Sequence, residues 1–264
     1  MKVLLIGDIV GKPGREAVKR IVPEFCKSRA VDLVVANAEN IAGGSGLTYS
    51  TADEVLASHV DLLTSGDHIW KKKEIYERLE NDKRILRPAN YPDSCPGKGH
   101  SIVKTGSGKA VGVINVLGRV FMRDVDSCPF KTARNIIDKM SKETKIILVD
   151  IHAEATSEKI ALGRFLDGLV SVVFGTHTHV QTSDERILPG GTAYITDIGM
   201  TGPLDSVIGR DKEAVIKHFL TCMPTKFEVA DKDVELHGAI VDIDEETGKA
   251  VSIERVREKA EKYI

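Results

Sequence analysis

The sequence predicts an α/β fold, and three observations carry that prediction. Continuous apolar runs of strand length alternate with amphipathic segments of helix length over most of the chain, the pattern of buried strands crossed by helices. The 264 residues are 42% hydrophobic, enough material for a sizeable core. No internal repeat or low-complexity tract interrupts the alternation, so one domain over residues 1–264 is the simplest account.

In chain order, the runs expected as strands are Val3 to Ile6, Leu33 to Ala36, Leu62 to Thr64, Val111 to Val116, Ile146 to Ile151, Val170 to Phe174 and Ala193 to Thr196. Between them, Gly14 to Arg29 reads as a helix with Val18, Ile21, Val22 and Phe25 on one side and a bend at Pro23. Further helices are expected over Thr51 to His59, Lys72 to Asn81, Lys131 to Lys142, Ser157 to Leu166, with Ser157 as its cap, and Asp211 to Leu220. Arg87 to Gly108, with three prolines and several glycines, reads as a loop able to shape the mouth of a site. Gly238 to Ile243 and Ala250 to Ile253 flank the polar stretch Asp244 to Lys249, a C-terminal β-hairpin around 238–253. Charge-rich Glu254 to Lys262 reads as a solvated tail or helix face.

Composition narrows the function classes. The formal charge is -2 with both signs interspersed, so the basic stripe of a dedicated nucleic-acid binder and the polybasic arm of a membrane-surface protein are both missing. Cys26, Cys95, Cys128 and Cys222 are far apart, with no CxxC pair, as expected of idle thiols in a reducing compartment. The short apolar start MKVLLIGD meets Asp8 at once, and no run approaches membrane-spanning length; a cytoplasmic location is the expectation.

Polar residues recur in one kind of place. LLIGD ends in Asp8, VVANAEN in Glu39-Asn40 and LLTSGDH in Asp67-His68, while IILVDIHAE carries His152 and VVFGTHTH ends in His177 and His179. Ligands of open α/β sheets gather beyond the carboxyl ends of the strands, so five strand ends would deliver these groups to one rim. Each has a bland reading alone: Asp8 as a turn cap, Asn40 as support for a glycine-rich loop, His152 as a satisfied core histidine. Together, converging charges would repel or stay unsatisfied unless a cation offset them. Imidazole with carboxylate and amide oxygen, and no thiolate, suits Fe, Mn or Zn better than a purely oxygen-ligated Ca or Mg. The donors are too many for one tetrahedral ion, and two ions about 3.5 to 4 Å apart sharing a carboxylate would use them. In GTHTH, alternate residues of a partly extended tail would turn both histidines to the rim.

These motifs, in this order, resemble the calcineurin-like metallophosphoesterases and, within them, the bacterial YmdB-type branch, which is associated with 2′,3′-cyclic-nucleotide phosphodiesterase activity. GDIVGKPGR, NAEN, RPANYP, PGKG, DIHAEATSEK, GTHTHVQT and YITDIGMTGP carry the resemblance over essentially the whole chain. It implies mixed β-sheets packed together and flanked by helices. It also implies two metal ions, Fe or Mn ahead of Zn or Mg, one surrounded by Asp8, Glu39, Asn40 and His179. Glu39 would bridge to a second ion held by Asp67, His152 and His177, with His68 beside the site as proton donor. The implied reaction is hydrolysis of a 2′,3′-cyclic nucleotide such as 2′,3′-cAMP to the 3′-nucleotide by metal-activated hydroxide. The implied partner is that small molecule, with no stable nucleic-acid complex, and self-association enters only by analogy.

Three positions depart from the wider superfamily. Val10 stands where a histidine usually follows the first aspartate, and Glu39 replaces the bridging aspartate; the YmdB-type branch shares both. Asp67 stands where that branch usually has asparagine, adding a negative charge that attracts metal and repels phosphate. GDIVGKPGR fits neither GxxxxGK[ST] nor GxGxxG, which puts nucleotide binding by a phosphate loop below hydrolysis; Gly11 and Gly14 read as a tight strand-to-helix turn. The rivals are a dinuclear amide or ester hydrolase, a phosphoesterase for another phosphoester, and a metal-binding signalling or interaction protein with slow or no turnover. His59, His100, His218 and His237 read as structural or solvated, and Trp70 as ordinary packing ahead of a pocket wall.

Overall fold

The computed structural model describes residues 1–122 and 127–263. Its strands are β1 (Lys2–Ile6), β2 (Asp8–Ile9), β3 (Leu33–Asn37), β4 (Leu62–Thr64), β5 (His100–Lys104), β6 (Ala110–Leu117), β7 (Ile147–His152), β8 (Val172–Thr176), β9 (Arg186–Ile187), β10 (Ala193–Ile195), β11 (Met200–Pro203), β12 (Val234–Ile243) and β13 (Ala250–Lys259). The helices are α1 (Gly11–Arg29), α2 (Tyr49–Leu56), α3 (Ile75–Asn81), α4 (Pro129–Met140), α5 (Thr156–Phe165) and α6 (Lys212–Thr221).

The strands form two mixed sheets. One runs β2-β11-β12-β1-β3-β4 with β13 on the other edge of β12; the second runs β5-β6-β7-β8-β10-β9. β1, β3 and β4 are parallel, as are β6, β7, β8 and β10. Strand alternation then sorts the core into layers. Val3, Leu5, Val35 and Leu62 meet Val113, Leu148, Val172 and Phe174 between the sheets. Leu4, Ile6, Val34 and Ala36 face Val18, Ile21 and Val22 of α1, and Val149, Ile151 and Val173 pack with Ala133 of α4 and Leu162 of α5. The order helix, sheet, sheet, helix places the carboxyl ends of β1, β3, β4, β7 and β8 on a shared rim.

The expected strands and helices are present with shifted ends, and the differences have local causes. α1 begins at Gly11, three residues early, because Gly11 at φ 60 turns the chain straight out of β2, and the helix runs through Pro23 without a break. Thr48 caps α2 by a reciprocal exchange with Thr51, and that helix stops before His59, whose φ is 63. Ser157 is not a cap: α5 starts at Thr156 after Ala155, with no side-chain cap bond. His100 lies on β5, paired antiparallel with β6, inside the stretch expected as loop. Residues 254–259 extend β13 rather than a tail or helix, because β12 offers a free edge, and only Ala260–Tyr263 turn as a 3₁₀ helix. Arg257 pairs there with Glu235 at 2.5 Å. Trp70 packs edge-on against Tyr76 and Tyr91 at centroid distances of 5.7 and 5.4 Å. Among the described residues no helix is long and apolar enough to cross a membrane.

Candidate metal centre

At the rim, Glu39, Asp67, His152 and His177 each present a ligand atom within 4.8 Å of the others. Glu39 follows β3, Asp67 opens a 3₁₀ turn after β4, His152 ends β7 and His177 follows β8, so both sheets contribute. Gly66 makes the convergence sterically feasible: a Cβ there would lie 1.9 Å from Glu39 Oε2 and 2.2 Å from His152 Nε2. Glu39 Oε2 is 2.9 Å from His152 Nε2, and its Oε1 accepts from His68 Nδ1 at 3.0 Å. Asp67 Oδ1 lies 3.6 Å from His152 Nε2 and 3.8 Å from His177 Nδ1.

The other sequence-predicted residues adjoin this cluster. Asp8 is fully buried; its Oδ2 accepts from the His177 backbone N–H at 3.1 Å, and its Oδ1 is 3.7 Å from His179 Nε2. Asn40 is 3.3 Å from His179 Nε2 through its amide nitrogen and accepts from His68 Nδ1 at 3.0 Å through its amide oxygen. Asp8 Oδ1 and Asp67 Oδ1 are buried without a hydrogen-bond partner. Two orphaned anionic oxygens facing imidazoles fit a bound cation, since buried polar atoms otherwise find partners.

All three imidazoles turn one nitrogen inward and fix the other. His152 Nδ1 bonds Thr176 Oγ1 at 2.9 Å, and that hydroxyl donates to Asp150 Oδ1 at 2.8 Å. His177 Nε2 meets Glu154 Oε2 at 3.2 Å, and His179 Nδ1 donates to the Ile208 carbonyl at 3.0 Å. Such outer bonds set the tautomer, leaving His152 Nε2, His177 Nδ1 and His179 Nε2 for the centre.

The electrostatics agree. Burial pushes the Glu39 carboxyl up, but His152 and His68 outweigh it and hold it well below the ordinary range. Burial would neutralise His152, yet Glu39, Asp67 and Asp8 raise it well above the ordinary imidazole value. Burial and the neighbouring His152 lower His177 to about 4, so it stays neutral. His68 is raised chiefly by its hydrogen bond to Glu39, and burial raises Asp8. The carboxylates thus favour the charged form of His152, while neutral His177 turns its Nδ1 to His152 Nε2 at 3.0 Å.

GTHTH does not work by strand alternation. β8 ends at Thr176, and His177 and His179 take φ values of 96 and 65, left-handed conformations that residues other than glycine rarely adopt. Buried Asp197 holds the loop there: it accepts from Thr178 N at 3.2 Å and Thr178 Oγ1 at 2.6 Å, and pairs with buried Lys159 at 2.7 Å. Gly11 N–H donates to the Asn40 carbonyl and Gly14 N–H to the Val10 carbonyl, so the turn braces the site with donors a phosphate loop would leave open.

Sequence reasoning missed Asp150, Glu154, Lys159, Asp197 and Arg210. Asp150 had a signal, an acid inside the apolar run ILVDIH; the others show their roles only through partners distant in sequence. The Arg87 to Gly108 stretch supplies no residue to the cavity beside the cluster, which is lined by Val10, Glu39, His68, Glu154, His179 and Arg210 among others.

Two mixed sheets packed face to face, with carboxylates and imidazoles from both at one rim, define a calcineurin-like metallophosphoesterase fold. The chain belongs to the YmdB-like protein family, whose model matches residues 4–256. It is 48% identical over 256 residues to the 2′,3′-cyclic-nucleotide 2′-phosphodiesterase of Bacillus subtilis, covering 97% of this chain and 96% of that protein. A solved structure of a novel phosphatase from Mycoplasma pneumoniae superposes with TM-score 0.92 at 35% identity, over 98% of this chain and 93% of that one. A hypothetical protein from Thermus thermophilus gives TM-score 0.91 at 40% identity, over 98% and 99%.

Proposed function

We propose that this chain is a metal-dependent phosphodiesterase that hydrolyses 2′,3′-cyclic nucleotides to 3′-nucleotides. The observation that carries the reading is the set of three imidazoles with outward nitrogens fixed and inward nitrogens facing Glu39, Asp67 and the orphaned oxygen of Asp8. The 48% identical relative named for this activity supports the substrate class.

In this reading Asp8, Glu39, Asn40 and His179 would hold one ion, and Asp67, His152 and His177 would hold a second together with Glu39; Fe or Mn would suit the donors, ahead of Zn or Mg. When bound, the ions supply Lewis acidity toward the phosphoryl oxygens and lower the pKa of an attacking water. His68 holds the proton of the reaction. Its Nδ1 is engaged by Glu39 and Asn40, the hydrogen bond to Glu39 raises its pKa, and a third of its surface is open. As hydroxide, its other proton already lost to solvent, bonds through oxygen to phosphorus and the P–O2′ bond breaks, His68 Nε2 gives its proton to the departing 2′ oxygen and regains one from solvent. The whole chain, residues 1–264 with the β12/β13 hairpin, acts as one domain.

The test is hydrolysis of 2′,3′-cAMP by metal-stripped protein reconstituted separately with Mn, Fe(II), Zn and Mg, with product position identified and Glu39→Ala as control. The expected result is metal-dependent release of 3′-AMP that the control abolishes. His68→Ala should retain metal and lose turnover by about 10²-fold or more. Full metal occupancy without turnover on any phosphoester would favour a signalling or interaction role.

A further inference from the structure

The cavity beside the cluster, about 370 Å³, has a cation in its wall that the proposed reaction does not yet use. Arg210 is the one lysine or arginine among the described lining residues, in a wall that also carries Glu39 and Glu154. Its guanidinium donates to the carbonyls of Gly43, at 3.3 Å, and Gly44. Among the described residues it has no carboxylate within ion-pairing distance, and burial lowers its pKa with no counter-charge to oppose it. Of the five N–H donors of a guanidinium, two are engaged by those carbonyls, which leaves three.

The seat is built for this side chain. Gly43 and Gly44 have φ values of 65 and 82, and a Cβ on Gly44 would lie 2.4 Å from Arg210 Nη1. Arg210 itself closes a tight turn in which Val207 and Arg210 exchange backbone hydrogen bonds at 2.9 and 3.0 Å. That turn forces Ile208 to φ 47, a costly conformation for a β-branched residue, and the Ile208 carbonyl is the acceptor for His179 Nδ1. Arg87 also clamps two carbonyls, but it lines no part of this cavity and has Asp93 and Glu80 near enough to oppose the effect of burial; Arg210 lines the cavity and, among the described residues, has no such carboxylate.

We propose that Arg210 is a substrate-anchoring residue whose unpaired guanidinium binds a phosphoryl oxygen of the substrate beside the metal cluster. The proposal rests on the phosphodiesterase reading for the identity of the substrate. Asp8, Glu39, Asp67 and Glu154 bring negative charge to the site, and Arg210 in the cavity wall offsets part of it for an anionic phosphodiester. Charge-assisted, forked donation from arginine to phosphate sets the expected size of the effect.

The test uses the full chain loaded with Mn, comparing wild type with Arg210→Ala and Arg210→Lys. Steady-state kinetics are measured on 2′,3′-cAMP and on its 5′-phosphorylated counterpart, alongside inorganic phosphate binding by calorimetry, metal content and melting temperature. Arg210→Ala should raise KM by about tenfold to a hundredfold, with the smaller change in kcat, weaken phosphate binding to match, and keep its metal; Arg210→Lys should recover part of the loss. An equal rise in KM for both substrates places the contact at the cyclic phosphate, and a larger rise for the 5′-phosphorylated one places it on the second phosphate. Unchanged KM and phosphate affinity in Arg210→Ala would overturn the proposal, as would a loss explained by lost metal or unfolding. A wild type that turns over neither substrate yet binds phosphate through Arg210 would overturn the phosphodiesterase reading and leave the anchor standing.

Discussion

The two halves of the site are built by different means. His152 ends β7, Glu39 and Asp67 follow the ends of β3 and β4 by two and three residues, and with His177 their ligand atoms already lie within 4.8 Å of one another. Asp8 also leaves a strand, but its partner His179 comes from a loop beyond β8, at φ 65, and stays 3.7 Å away. Sheet register fixes most of the first half, through Glu39, Asp67 and His152; the loop held by Asp197 and Thr178 carries His177 and His179, and Ile208 orients His179. A site set by register tolerates distant changes, whereas one set by a loop network depends on each bond in it.

The largest effect should come from filling the space that lets the first half converge. Gly66→Ala puts a Cβ 1.9 Å from Glu39 Oε2, so metal binding and turnover should both fall by more than about a hundredfold, read by metal analysis and 3′-AMP release. Retained activity would mean that the register-built half is softer than its geometry indicates.

The second half has its own weak point in Lys159 and Asp197, 1% and 0% exposed. Lys159→Met leaves Asp197 buried and unpaired, a loss of about 3–5 kcal/mol in unfolding free energy. Denaturant melts should show that loss, and metal titration of the folded fraction should show the His179 half failing first.

Acid should act mainly through His152. Glu39, Asp67 and Asp8 raise its pKa and so favour a proton that an entering cation must displace, whereas His177, at about 4, is already neutral. Metal affinity should therefore fall as pH drops from the raised value of His152, by about tenfold per unit for one displaced proton. Calorimetry in buffers of different ionisation enthalpy measures that proton directly, and its absence would contradict the charge assignment.

The smallest effect falls on Glu154, half exposed and 3.2 Å from His177 Nε2. Glu154→Gln keeps an acceptor for the ring but removes its charge, so metal affinity should weaken by less than the about tenfold expected of a buried outer partner.

Much of the register-built half was legible in the sequence because strand ends can be read from apolar runs. Glu39, Asp67 and His152 each follow or end such a run, as Asp8 of the other half also does, and the order of motifs carried the family resemblance. The loop-built half was less legible. β2 and β11 are held by a long-range parallel pair, Asp8 with Met200 and Ile9 with Thr201, that leaves no periodic pattern. The left-handed conformations at His177 and His179 depend on Asp197 and Ile208, remote in sequence, and Arg210 meets Gly43 and Gly44 more than a hundred and sixty positions away. Local propensity cannot report a conformation that tertiary bonds impose.

The central claim is that both halves hold metal and share Glu39. Anomalous diffraction from crystals soaked in Mn tests it most directly. Two peaks are predicted, one touching Glu39, Asp67, His152 and His177, the other Asp8, Glu39, Asn40 and His179. A single peak, or two that do not share Glu39, would contradict it.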